Sequence, residues 1–208
     1  MADKKLPIEV SVRGVAAYSW LYKKDDKFAK KGEDGKHKLS LVIIKDELGG
    51  LTAGLNDGKT PIGGEEWLSH LQEMHEQGGG EPQNSPVKDG DKPLDKKGKP
   101  KPKKDINEEF EGKHLVNFRT GYQPQLVDSK KNDLPDNVKI MSGDVVKVAY
   151  RPVIYEGGVT LRMNAVMLLE KRAQGGGANA FEEEDGFVAD KSAADSFGSS
   201  GDDKDGDY

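Results

Sequence analysis

Tyr18, Trp20 and Tyr22 recur at every second position of an alternating stretch, Val10 to Tyr22, so an extended backbone lines their rings along one face. A row of planar rings is a platform on which nucleobases stack, and cations beside it displace counterions from phosphates. Both ingredients recur downstream. Lys36 and Lys38 lie on a second alternating segment, Arg119 and Tyr122 on a third, and Lys147, Arg151, Tyr155 and Arg162 on or beside a last pair. Strand aromatics also pack cores, and Trp20, Phe118 and Tyr150 are expected to be packing residues. Tyr155 admits either role, because it adjoins Glu156-Gly157-Gly158 and stands just beyond Pro152, where burial is harder.

Catalytic arrangements are missing from the pattern. With no cysteine, the chain offers no thiolate nucleophile, disulfide or cysteine-ligated zinc. His70 and His75 are five apart rather than four, so a helix turns them about 140° from one another and the two-histidine metal motif fails. Neither a Gly-x-x-x-x-Gly-Lys-Ser/Thr phosphate loop nor a Gly-x-Ser-x-Gly elbow occurs. The expectation is a binding protein, not an enzyme, with no metal and no cofactor.

These side chains need a frame. After the first strand, Lys36 to Lys45 alternates with Leu39, Leu41 and Ile43 inward and Lys36, Lys38 and Ser40 outward. Gly14 marks where a bulge or bend would let the first strand curl, as small barrels require. Between Leu48 and Gly80 the spacing turns helical: Trp67, Leu68, Leu71 and Met74 form one stripe, Glu65 and Glu66 sit in the first turn, and Gly78-Gly79-Gly80 ends the helix. Further strands are expected over His114 to Val127, Asp144 to Ile154 and Val159 to Lys171, the last two joined by a tight turn at Glu156-Gly157-Gly158. The fold class that results is mainly β: a five-stranded antiparallel barrel of the OB type, capped by one α-helix, whose strand faces bind oligonucleotides.

Two polar stretches interrupt this frame. Residues 78–112 contain five prolines from Glu81 on and, from Lys88 to Lys104, eight lysines against three aspartates. The stretch is expected to be a mobile basic loop inserted in the barrel. Its charge either merely solvates the segment or tracks phosphates through Lys97, Lys99, Lys101 and Lys103. From Ala173 to Tyr208 there are ten carboxylates, two lysines and a single branched aliphatic, Val188. Such a composition buries too little apolar surface to offset chain entropy of roughly 1–2 kcal/mol per residue, so 173–208 is expected to be a disordered tail. The charge is therefore divided: of 32 basic and 37 acidic side chains overall, residues 1–172 hold 30 and 27. The body is mildly basic, and it precedes a polyanion ending Asp202-Asp203-Lys204-Asp205-Gly206-Asp207-Tyr208. The start, Met1 to Pro7, lacks the apolar run of a signal peptide and no apolar stretch is long enough for a bilayer, so a soluble cytoplasmic protein with no membrane partner is expected.

The order of these features resembles the replicative single-stranded DNA-binding proteins of tailed bacteriophages. The resemblance is carried by Gly35-Lys36-His37-Lys38-Leu39-Ser40-Leu41, the lysine-proline loop from Lys92 to Lys104, Lys147-Val148-Ala149-Tyr150-Arg151-Pro152-Val153-Ile154-Tyr155, Val159 to Leu169, and the Gly175-Gly176-Gly177 hinge leading into the acidic tail. It implies sequence-independent binding of single-stranded DNA, stacking by Tyr155, a homodimer, and action in DNA replication, recombination and repair in the host cytoplasm. It further implies that Asp202, Asp203, Asp205, Asp207 and Tyr208 engage replication proteins such as a DNA polymerase or helicase/primase. Tyr208 stands where phenylalanine is the familiar residue, and the last hairpin is shorter than the family's. The competing reading is an acidic-tailed scaffold protein whose barrel binds protein instead of nucleic acid.

Overall fold

The computed structural model describes residues 4–27 and 34–172, and the acidic segment 173–208 lies outside the described residues. Five long strands close a barrel: β3 (Gly14–Asp25), β4 (Lys36–Ile44), β8 (Lys113–Thr120), β10 (Val145–Tyr155) and β11 (Gly158–Glu170). Around the ring, β3 pairs with β4, β4 with β8, β8 with β11, β11 with β10, and β10 returns to β3. On β4, Leu39, Leu41 and Ile43 are inside as expected, while Ser40, expected outward, is buried as well. Closure is not wholly antiparallel, however. β8 and β11 meet in parallel at Arg119 and Arg162, because the chain crosses from β8 to β10 before returning on β11.

Shorter strands extend the ring. β1 (Lys4–Lys5) and β2 (Glu9–Val10) both add to β10, β7 (Val87–Asp89) adds to β8, and β9 (Gln125–Val127) runs parallel to β11. The single strand expected over His114 to Val127 is thus split, the chain turning away at Gly121 to Pro124 before β9. The expected first strand is broken too, at residues 11–13 just before Gly14. There the Ser11 hydroxyl takes the place of a ladder partner, accepting from Val148 N–H at 2.9 Å and donating to the Val12 carbonyl at 2.7 Å. Residues 52–63, inside the stretch from Leu48 to Gly80 where the spacing turns helical, form instead a hairpin of β5 (Thr52–Leu55) and β6 (Thr60–Gly63). Asn56, Asp57 and Gly58 take positive φ in its turn, conformations these residue types tolerate best.

The helix α1 (Gly64–Gln77) follows that hairpin and packs on β10 and β11 as the expected cap. Trp67, Leu71 and Met74 are buried, and burying a large apolar side chain contributes roughly 1.5–3 kcal/mol. A polar chain runs through this contact. Trp67 Nε1 donates to the Tyr150 hydroxyl at 2.7 Å, which donates to Glu9 Oε2 at 2.6 Å, and Glu9 Oε1 receives His70 Nε2 at 3.0 Å. Burial, reinforced by the Glu9 carboxylate, pushes the Tyr150 phenol well above its ordinary value, so it remains a donor. The hydrogen bond to Glu9 likewise raises His70, against the opposing effect of desolvation.

Residues 78–112, expected to be a loop, contain short ordered elements. Besides β7 they contain short 3-10 turns at Pro82–Asn84, Lys103–Asp105 and Glu108–Phe110 and a bridge between Leu94 and Pro100. Aspartates organise them: Asp95 Oδ1 accepts from the Lys97 and Lys99 amides, and Asp91 Oδ1 accepts from Gly112 N–H. Lys45 joins Asp89 and Asp91, fastening the stretch to the end of β4. These side-chain turns have no hydrophobic period, which is why pattern reading gives only a loop. No helix among the described residues is long and apolar enough to cross a membrane.

Asp144, 1% exposed, immediately precedes β10. Desolvation is the largest influence on its carboxyl and would raise it. It is outweighed by the Met141 amide, the Lys171 ammonium at 2.9 Å and the Arg172 amide, which together hold Asp144 below the usual carboxylate range. A depressed folded value means that this stabilisation is present above the unfolded value of 3.8 and disappears as pH falls through the folded value. Asp144→Asn should therefore cost about 2 kcal/mol near neutral pH, with the gap from the unaltered chain narrowing below pH 3.8 in denaturant titrations.

Candidate nucleic-acid interface

The rings of β3 reach the surface through a slip in register. Ala17 pairs with Ser40 and Trp20 with Lys38, so three steps on β3 answer two on β4, and Tyr18 at the slip has φ 48°. The bulge therefore lies at 17–20 rather than at Gly14. Gly14 serves close packing instead, since a Cβ there would lie 2.8 Å from the Leu41 side chain. Ahead of the slip the even residues Val12 and Ala16 are buried, and beyond it the odd residue Leu21 is. Tyr18, Trp20 and Tyr22 are consequently exposed together, at 56%, 42% and 42%. Trp20, expected in the core, is corrected to a surface ring, whereas Phe118 and Tyr150 are core as expected.

Three adjoining recesses cross this face. The first, about 720 Å³, has Tyr18, Trp20 and Tyr155 as its rings and Lys38, Lys88 and Arg119 among its cations. Its floor is mixed, with Leu39, Phe118 and Leu161 beside Ser40, Asn117 and the 83–86 turn. Arg119 and Thr160, joined by a 2.9 Å hydrogen bond, are shared with the second recess, where Lys24, Lys36, Tyr122 and Arg162 gather. Tyr122 and Arg162 continue into the third, which adds Lys5 and Arg151. Tyr122 is 85% exposed and stands over the junction.

Of the residues singled out by sequence, the structure thus brings together Tyr18, Lys36, Lys38, Arg119, Tyr122, Arg151, Tyr155 and Arg162. It places others elsewhere. The Tyr22 hydroxyl accepts from the Ile140 amide at 2.7 Å, and its ring lies 5.8 Å from the Lys139 ammonium, outside the recesses. Lys147 lines none of them. Lys97, Lys99, Lys101 and Lys103 are exposed on the turn that flanks the first recess, with Gly98 against the Gln83 side chain that lines it. Asp202, Asp203, Asp205, Asp207 and Tyr208 lie outside the described residues. Sequence reading missed Phe110, whose ring centroid is 5.9 Å from that of Tyr18, and the recess-lining amides Gln83, Asn84 and Asn117. No periodicity marks these positions.

His75 fixes the geometry around Tyr155. Fully buried at the end of α1, its Nδ1 accepts from the Val159 amide at 3.3 Å and its Nε2 lies 2.9 Å from the Glu81 carbonyl, partners that assign the proton to Nε2. A Cβ on Gly80 or Gly158 would come within 2.2–2.4 Å of the ring, so only glycine admits it between them. Gly157 N–H also donates to the Gly78 carbonyl at 2.7 Å. The two glycine runs, read as a helix stop and a hairpin turn, therefore clamp one imidazole and hold the hairpin tip beside the 82–84 turn.

No family model and no curated protein matches the chain. Solved structures do. The single-stranded DNA-binding protein from bacteriophage Enc34 in complex with ssDNA superposes with a TM-score of 0.52 at 16% identity, covering 79% of this chain and 86% of that one. A C-terminal truncation of the Enc34 protein gives a TM-score of 0.56 at 15% identity, over 83% and 98%. Bacteriophage T7 gp2.5, a single-stranded DNA-binding protein, gives 0.53 at 19% identity, over 90% and 100%. The chain has the fold of these phage proteins.

The burial difference predicts a contrast in stability. Trp20→Ala should leave unfolding within about 1 kcal/mol of the unaltered chain. Tyr150→Ala should cost about 3–5 kcal/mol, since it opens the core and strips Glu9 and Trp67 of their partner, as chemical denaturation can measure.

Proposed function

We propose that the protein binds single-stranded DNA without sequence preference, laying the strand along the three recesses. The observation that carries this reading is the interleaving of Tyr18, Trp20, Tyr155 and Tyr122 with Lys36, Lys88, Arg119, Arg162 and Arg151 along one continuous face. Exposed rings accept the faces of unpaired bases, which a duplex keeps stacked inside, and the cations between them neutralise the phosphates that link those bases. The phage proteins that share the fold, one of them solved with ssDNA, support the same reading.

The protein acts, on this reading, in phage DNA replication, recombination and repair, and does so by binding rather than catalysis. Residues 173–208 supply a polyanion that competes with the strand for the basic face, and Asp207 and Tyr208 present a charged, aromatic terminus to replication proteins.

Gel shift and anisotropy titrations with oligo-dT test the core of the proposal. Single strands should bind more tightly than duplex of equal length, and affinity should fall steeply with salt. Tyr155→Ala should cost about 1–3 kcal/mol of binding at any salt, whereas exchanging Lys97, Lys99, Lys101 and Lys103 for glutamine should make the salt dependence shallower. Equal affinity for duplex would refute stacking. Deleting residues 181–208 should tighten binding at low salt and lose that advantage at high salt, and superimposable curves would remove the competing role of the acidic segment.

A further inference from the structure

Lys88 differs from the lysines around it. Lys38 is paired with Asp25 at 2.8 Å, Lys24 with Asp34 at 3.2 Å, and Lys45 with Asp89 and Asp91. Lys88 lines the first recess half-buried, and among the described residues it forms no ion pair. Its ammonium donates to the Gln83 carbonyl, which uses one of three N–H groups. The nearby Glu81 carboxylate already receives the Gln83 side-chain amide at 2.6 Å. Desolvation alone lowers Lys88 below the ordinary lysine value. Strand β7 therefore keeps a partly desolvated cation, with two donors unassigned among the described residues, beside the rings on which bases would stack.

We propose that the Lys88 ammonium is the seat of one backbone phosphodiester inside the first recess. The inference rests on the single-strand reading above and adds to it a named anion site. Other lysines of the face exchange water for phosphate at the surface. Lys88 is already partly desolvated and gains a counter-charge that no described residue provides, so its contribution exceeds that of an exposed lysine.

A linked consequence distinguishes it. The phosphate restores Lys88 toward the ordinary lysine value, so between the lowered free value and about 10.4 the bound state holds more protons than the free state. Affinity must then fall as pH rises through that window, and binding there takes up part of a proton. The other titratable or charged groups around the recess are Tyr18, Asp25, Lys27, Lys38, Arg119 and Tyr155, with Glu81 on the adjoining turn and Asp89 and His114 where β7 pairs with β8. Asp25 is held below the usual carboxylate range chiefly by Lys38 and is ionised throughout the window.

The test is titration of the full chain with oligo-dT at fixed salt from about pH 7 to 9.5, with proton uptake read by calorimetry in buffers of different ionisation enthalpy. Lys88→Gln should weaken binding roughly tenfold near neutral pH and reduce the salt slope by about 0.7. Lys88→Arg, permanently charged, should bind within about threefold of the unaltered chain but lose its proton uptake and pH dependence. Unweakened binding by Lys88→Gln, or proton uptake that survives in Lys88→Arg, would overturn the site. Should Lys88→Gln unfold, the comparison of Lys88→Arg with the unaltered chain decides alone. No binding of oligo-dT by the unaltered chain at any pH would instead overturn the single-strand reading on which the site rests.

Discussion

Side chains along a strand alternate between two faces, and a barrel strand must give one of those faces to the core. β3 has to meet that demand and also display three aromatic rings to solvent. The slip between Ala17 and Trp20 reconciles the two, moving burial from the even residues Val12 and Ala16 to the odd residue Leu21. β11 makes a comparable slip: Ala165 pairs with Ala149 but Met163 with Tyr150, and buried positions change from Leu161 and Met163 to Val166 and Leu168. Each bulge re-aims a strand that ideal pleating would have fixed. Without the slip in β3, either Val12 and Ala16 would face solvent or Trp20 and Tyr22 would face the core.

The barrel supplies one wall of the first recess, and the other is assembled from segments distant in sequence. His75 joins the end of α1 to the β10–β11 hairpin and to the start of the 82–84 turn. Tyr155 on that hairpin thus faces the same space as Lys88, which follows that turn. The buried Trp67, Tyr150 and Glu9 chain holds the other side of the same helix against the barrel. Rigid placement of this kind lets surface rings and cations act as a preformed site, with little ordering cost on binding.

Much of the frame was legible in the sequence because it is written in hydrophobic period. The five barrel strands, the stripe of α1 and the turn before Gly158 all appear where alternation, helical spacing and glycine put them. Parity beyond a bulge is not so written: the alternation of Tyr18, Trp20 and Tyr22 is the same whether it faces in or out, so pattern alone leaves Trp20 expected in the core. The β5–β6 hairpin did leave a signal in Asn56-Asp57-Gly58, overshadowed by the helical stripe that follows. The parallel meeting of β8 with β11 and the aspartate turns around residues 89–99 depend on contacts across the fold, which no local pattern encodes.

The rings on β3 can be interrogated individually, because the chain has two tryptophans and they occupy opposite environments. Trp67 has no exposed surface, while Trp20 is 42% exposed in the first recess. Tryptophan emission recorded while oligo-dT is added, alongside anisotropy of a labelled strand, therefore reports on stacking directly. If bases stack on this face, emission should be quenched in step with binding, and Trp20→Phe should abolish the quench while leaving most of the binding. Binding with unchanged emission, or a quench that persists in Trp20→Phe, would show that the strand does not lie on the rings that the bulge in β3 turns outward.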